Sequence, residues 1–203
     1  MKQRHSSKNT SINTTRLPAV YNKVDWSRYT NPVDNYCIVD IGCGCIETQK
    51  LIRNKLKSCN IRNFYPWDPY HKCIVSPVIT EHYISNPRLN KVVICSNVLN
   101  VIDDDTALMS TIQDLCNMIV IRLPDGNYRM NPCYVTVYEG NKSGIGRETK
   151  KDCWQRNECL SLYLRKFNDY IKNKYNHNSD FFKIKYGMII GVNQYTSKQR
   201  WYK

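Results

Sequence analysis

Asp40-Ile41-Gly42-Cys43-Gly44-Cys45 sets a carboxylate two residues ahead of a glycine pair, directly behind the apolar run Cys37 to Ile41. Glycine permits the tight reversal that joins a strand to a helix. It also lets a ligand approach the backbone closely while nearby N–H groups donate to it. The spacing is Asp-x-Gly-x-Gly, distinct from the Gly-x-Gly-x-x-Gly of dinucleotide-binding turns, and a purely structural turn fits the same letters. Asp68, within Pro66-Trp67-Asp68-Pro69-Tyr70, is a second carboxylate closing an apolar run. A carboxylate so placed can accept both hydroxyls of a ribose, with Trp67 and Tyr70 flanking a base; a turn aspartate ahead of proline is the competing reading. Ser96 and Asn97 follow the run Lys91 to Cys95, where small polar groups suit either a ligand-facing rim or a capped turn.

A fourth segment is basic. Lys142, Arg147, Lys150, Lys151 and Arg156 surround Gly140, Gly144, Gly146 and Trp154. Cations beside an aromatic can neutralise phosphates and stack on a base; a solvated basic helix with Trp154 in the core is the alternative. Charge placement bears on the choice. Residues 17–140 carry twelve basic and twelve acidic side chains, whereas residues 141–203 carry fourteen basic against five acidic and hold +9 of the net +13. A neutral body with a basic final third suggests a localised surface for a polyanion.

The remaining reactive residues form no recognisable set. Ten cysteines include no Cys-x-x-Cys pair, and the four histidines, His5, His71, His82 and His177, show no metal spacing. No metal site is expected, and the cysteines are read as reduced, mostly buried thiols in a reducing, cytoplasmic compartment. Asn131-Pro132-Cys133-Tyr134 resembles one catalytic tetrapeptide by its letters, and its Pro132-Cys133 a nucleophile motif, but it leads into a strand, the wrong place for either chemistry. No catalytic residue is assigned.

The elements that must position these residues follow from apolar periodicity. Strands are expected at Cys37 to Ile41, Ile61 to Trp67, Lys91 to Cys95 and Tyr134 to Tyr138, with a weak one near Cys73 to Val78. Helices are expected up to Ser58, over the stretch holding Leu108, Ile112 and Leu115 behind Asp103 to Asp105, and over Leu160 to Ile171. Leu123 to Gly126 reads as a turn, Gly140 to Lys151 as a loop, and Phe181 to Gly191 as a hairpin turning near Tyr186-Gly187. Such alternation indicates an α/β sandwich with a mainly parallel sheet, whose ligands sit beyond the carboxyl ends of the strands. The polar, basic residues 1–16 read as a flexible tail without a secretory signal, and residues 17–203 as one domain with no membrane span.

Taken in order, these motifs resemble the class I S-adenosylmethionine (SAM)-dependent methyltransferase superfamily. Asp40, Gly42 and Gly44 match its first motif, Asp68 its ribose-binding acidic position, and Ser96-Asn97 its segment after the fourth strand. The run Val135 to Arg147, with Trp154-Gln155-Arg156-Asn157, looks like a branch of uncharacterised methyltransferase-like proteins from bacteria and phages. The resemblance covers roughly residues 35–191. It implies a Rossmann-like, mostly parallel seven-stranded sheet with the last strand antiparallel, and SAM held by Asp40, Gly42, Cys43, Gly44, Asp68, Pro69, Ser96 and Asn97. A nucleic acid or nucleotide acceptor would meet Lys142, Arg147, Lys150, Lys151, Trp154 and Arg156. The segment Ser96 to Leu99 departs from amino-methylating nucleic-acid enzymes in having no proline or aromatic.

Overall fold

The structure is a computed structural model that describes residues 16–31, 35–68, 73–123, 126, 128–150, 153–175 and 181–191. In chain order its elements are α1 (Val20–Lys23), β1 (Cys37–Ile41), α2 (Ile46–Ser58), β2 (Phe64–Trp67), α3 (Pro77–Ser85), β3 (Lys91–Ser96), α4 (Asp105–Ile119), β4 (Val120–Arg122), β5 (Tyr128–Met130), β6 (Cys133–Thr136), β7 (Arg147–Lys150), β8 (Cys153–Gln155), α5 (Leu160–Tyr175), β9 (Phe182–Lys185) and β10 (Met188–Gly191). Single 3-10 turns occupy Trp26–Tyr29 and Leu99–Val101.

Six strands form the central sheet in the order β2-β1-β3-β6-β10-β9. The first four are mutually parallel, and β10 runs antiparallel to both β6 and β9. The expected mixed α/β architecture with a mostly parallel sheet is present, but among the described residues the sheet has six strands where seven were expected. The weak strand near Cys73 to Val78 is not formed: its last two residues open helix α3. Proline at the first helical position favours that outcome, because its fixed φ suits a helix and its missing N–H would leave a gap in a strand ladder. Pro66 is tolerated because β2 is an edge strand.

The two faces of the sheet alternate residue by residue. Cys37, Val39, Ile41, Val93, Cys95, Cys133 and Val135 face α4 and α5, which bury Leu108, Ile112, Leu115, Tyr163, Phe167 and Ile171 against them. Ile38, Val92, Ile94, Tyr134 and Met188 face the other way, onto Ile52 and Leu56 of α2 and onto Val20, Tyr21, Trp26 and Tyr29 of the N-terminal segment. Helix α4 starts as its acidic run suggests, with Asp104 Oδ1 accepting from the Ala107 N–H at 2.7 Å. On α5 the buried stripe includes Tyr163 and Asn168, whereas Leu164 is only half-buried.

Two hairpins lie outside the main sheet. β4 pairs with β5 around the expected turn, where Gly126 N–H reaches Leu123 O at 3.0 Å. β7 pairs with β8, so the segment expected to be a loop to Lys151 contains a strand. The alternation there is too short for a periodic signal to emerge. Residues 1–15, most of the expected tail, lie outside the described residues. Among those described, no helix is long and apolar enough to cross a membrane.

Phe167 ties α5 to the sheet edge, fully buried with its ring 5.1 Å from that of Phe182. Phe167→Ala is expected to cost about 3–5 kcal/mol in urea unfolding, the usual range for emptying such a site.

Candidate functional site

Parallel pairing forces the carboxyl ends of β1, β2, β3 and β6 onto one edge of the sheet. The ladder continues slightly past them: Gly42 N–H donates to Trp67 O and Asn97 N–H to Thr136 O, both at 2.8 Å, while the Ser96 and Thr136 hydroxyls share a hydrogen bond at 3.0 Å. Asp40, Gly42, Cys43, Gly44, Asp68, Ser96 and Asn97 therefore occupy adjacent strand ends. Pro69 lies outside the described residues.

Asp40 is the one charged residue within β1, and it is 1% exposed. It shares the face of Ile38, toward the N-terminal segment, and there Tyr21 donates its hydroxyl to Asp40 Oδ2 at 2.7 Å. Oδ1 is equally buried and accepts no hydrogen bond among the described residues. A buried acceptor without a donor is costly, and the carboxyl responds accordingly. Burial raises its pKa to about 7, with the Tyr21 hydrogen bond opposing and the nearby Asp68 charge reinforcing the rise.

The glycine loop beside it has left-handed backbone at both Gly42 (φ 74°) and Gly44 (φ 75°). A Cβ on Gly42 would lie 2.1 Å from Val98 Cγ2, so only glycine fits under that side chain. Gln49, buried in the first turn of α2, clamps the loop: its Nε2 donates to Gly44 O at 2.7 Å, and its Oε1 accepts from Ile74 N–H at 2.8 Å. One side chain thus joins the turn after β1 to the segment after β2. Cys43 is buried within the loop, and its Sγ lies 3.9 Å from that of Cys73.

The basic segment stands on the same edge, held through Asn100. Asn100 Nδ2 donates to Gln155 Oε1 at 3.3 Å, its carbonyl accepts from Arg156 N–H at 3.0 Å, and Gln155 Nε2 donates to Tyr138 O at 2.8 Å. Val98 over Gly42 and Asn100 bonded to β8 are two residues apart, so the glycine loop and the β7–β8 hairpin rest on one short segment. Of the six residues expected to meet an acceptor, Lys142 and Arg147 are exposed, Lys142 in an ion pair with Glu139 at 3.1 Å. The side chain of Lys150 and the whole of Lys151 lie outside what is described. Trp154 is half-buried, and a Cβ on Gly146 would fall 2.5 Å from its ring. Its indole edge packs on that glycine rather than standing open.

Arg156 is committed elsewhere. It donates to Ile102 O at 2.7 Å and Glu158 Oε1 at 3.3 Å, pairs with Asp105, and is 7% exposed. It fastens the end of β8 to the start of α4. The exposed apolar groups beside the basic residues are instead Tyr138 and Ile145, 64% and 73% exposed.

Asn131 lies at the amino end of β6, across the sheet from the glycine loop. There its side chain donates to Met118 O at 2.8 Å and accepts from Lys91 N–H at 3.4 Å. Among the described residues no group of three His, Cys, Asp or Glu side chains could hold a metal. His5, His71 and His177 lie outside the described residues, and His82 sits on α3 with its ring edge-on to Tyr83. Tyr21, Gln49, Val98 and Asn100 were missed by motif reading, because each acts through a contact distant in sequence. A scan against protein-family models and searches of curated proteins and of solved structures return no match.

The Asp40 carboxyl makes stability depend on pH. Its folded-state pKa exceeds the ordinary carboxylate value near 4, so between about pH 4 and pH 7 the folded protein holds a proton that the unfolded chain has released. Stability should fall through that window as pH rises and then level off. Asp40→Asn stays neutral and should abolish this component. Relative to the parent, its unfolding free energy should rise between pH 4 and pH 8 by an amount on the order of 4 kcal/mol. Equal differences at both pH values in urea titrations would show that Asp40 ionises freely.

Proposed function

We propose that this chain is a SAM-dependent methyltransferase of Rossmann-like fold, acting on a nucleic acid or nucleotide acceptor. Asp40 carries the reading: a buried carboxylate with one oxygen unengaged, beside a left-handed glycine turn at the carboxyl edge of a parallel sheet. Such an arrangement suits a ligand that brings both positive charge and hydrogen-bond donors. The sheet adds support, since its last strand, β10, runs antiparallel to both neighbours in an otherwise mostly parallel sheet. The end of β3 takes the role of the family's fourth-strand segment.

The residues fit the cofactor. Asp40 would receive a donor on Oδ1, the backbone of Gly42, Cys43 and Gly44 would line the near side, and Asp68 would take the ribose hydroxyls. Ser96 and Asn97 would close the rim. When bound, SAM supplies a methyl group on a sulfonium, ready for transfer to a nucleophile. The chain's own contribution is to bind, align and desolvate; alignment alone can provide much of the rate for such a transfer. The acceptor class rests on Arg147, exposed on a hairpin anchored to this edge, and on Lys142, exposed on its approach and paired with Glu139, with exposed Tyr138 and Ile145 nearby in the chain, within a third of the sequence that holds +9. A second reading is a SAM- or nucleic-acid-binding protein without catalysis. The segment Ser96 to Leu99 favours it, since it offers no acid–base side chain and seats Val98 over the glycine turn.

Titration calorimetry with SAM is expected to show binding, weakened about tenfold or more in Asp68→Ala, the worth of one charge-assisted hydrogen bond. No heat with either SAM or its demethylated product would end the cofactor assignment. Turnover of labelled methyl groups into oligonucleotide separates an enzyme from a silent binder, and incorporation only into protein or a small molecule would reassign the acceptor.

A separate measurement addresses the basic hairpin. Log affinity for a single-stranded oligonucleotide should fall linearly with log salt, at about −0.7 per phosphate contact. Replacing Lys142, Arg147, Lys150 and Lys151 with Ala should flatten that slope and leave SAM binding unchanged. Replacing Lys172, Lys174, Lys183 and Lys185 should do less, and equal losses would mean a generic basic surface.

A further inference from the structure

We propose that Cys43 and Cys73 form a reversible redox pair whose disulfide clamps the glycine loop to the segment leading into α3. The two thiols come from different strand ends, thirty residues apart in sequence, and meet at 3.9 Å. Disulfide formation requires about 2 Å between the sulfurs, so the remaining movement is within reach of side-chain rotation and a small loop shift. The two segments are already held in register by Gln49, which bonds Gly44 O on one and Ile74 N–H on the other.

The two sulfurs differ in the way such a pair needs. Cys73 is half-exposed, whereas Cys43 is buried behind it. The hydrogen bond with Cys43 lowers the Cys73 thiol to about 7 despite burial and the neighbouring Asp68 charge, and raises that of Cys43. Cys73 is therefore the accessible nucleophile and Cys43 the resolving thiol, the division found in redox-sensing pairs. The core thiols are unlike this pair. Burial raises Cys95, Cys116 and Cys133 and keeps them protonated within the core.

With a hydroperoxide as oxidant, the Cys73 thiolate attacks the O–O bond and becomes a sulfenic acid, while the alkoxide leaves and takes a proton as the alcohol. Cys43 then attacks the sulfenic sulfur, forming the S–S bond. The displaced hydroxide takes the Cys43 proton and leaves as water. Two thiols and one hydroperoxide thus give one disulfide, one alcohol and one water. The consequence is mechanical: Cys43 sits between the two left-handed glycines, so the bond restrains the turn that borders Asp40.

The test uses the full chain, reduced and then treated with tert-butyl hydroperoxide. Peptide mapping by mass spectrometry should find Cys43 joined to Cys73 as the dominant cross-link, reversed by dithiothreitol. Amides of residues 43–49 and 73–80 should exchange with solvent several-fold more slowly in the oxidised protein. Cys73→Ser, at a half-exposed position, should fold normally, lose the cross-link and lose the added protection; Cys43→Ala should leave Cys73 as a trappable sulfenic acid. Oxidation spread over Cys45, Cys59 and Cys159 without a Cys43–Cys73 bond would overturn the proposal, as would a cross-link that leaves exchange in both segments unchanged.

Discussion

A carboxylate near the carboxyl end of a fully buried strand has to be solvated by the protein itself, and the N-terminal segment meets part of that demand. All five residues of β1 are buried, so Asp40 cannot turn toward water. Tyr21, reaching in from the N-terminal segment, supplies one hydrogen bond and leaves one oxygen unengaged. The N-terminal segment is thereby more than a cover for apolar residues. Its Tyr21 also stacks on Trp26 at 5.6 Å, and the Trp26 indole donates back to Tyr21 O at 2.8 Å, which fixes the ring that holds the carboxylate.

From Asp40 outward, rigidity is transmitted by small, specific contacts. Gly42 must lack a side chain because Val98 stands over it, and Asn100, two residues on, carries the β7–β8 hairpin. Gln49 couples the same turn to the segment before α3. Each tie joins one strand end to the next, so the edge behaves as a linked row rather than four independent loops. A parallel sheet provides the row; these side chains hold its members in register.

Charge is distributed with the same economy. Arg156, buried near the edge, is paired with Asp105 and Glu158 and acts as a fastener. Asp105 is exposed, so only the Arg156–Glu158 pair is buried on both sides; such a pair contributes little net stability, but losing one partner strands the other. Arg147 on the hairpin and Lys142 on its approach stay exposed, Lys142 in a surface pair with Glu139, together with exposed Tyr138 and Ile145. The division between structural and available charge lies within a stretch of fifteen residues and is not visible in the letters.

Local pattern determined the elements whose physics is local. The β-branched runs ending at Ile41 and Ser96 became central strands, the acidic run before Ala107 capped α4, and Phe181 to Gly191 folded as a hairpin turning at Tyr186-Gly187. Glycine and carboxylate positions at strand ends were legible for the same reason, because parallel pairing sends all those ends to one edge. Tertiary structure decided the rest. Pro77 opened a helix where a weak strand was expected, since a helical first turn needs no N–H from proline, and the sheet closed with six strands. Arg156 and Arg147 are alike in sequence, yet only contact with Ile102, Asp105 and Glu158 makes the former a fastener. Tyr21 and Asp40 lie nineteen residues apart and Cys43 and Cys73 thirty, separations at which no sequence period operates and only packing brings the atoms together.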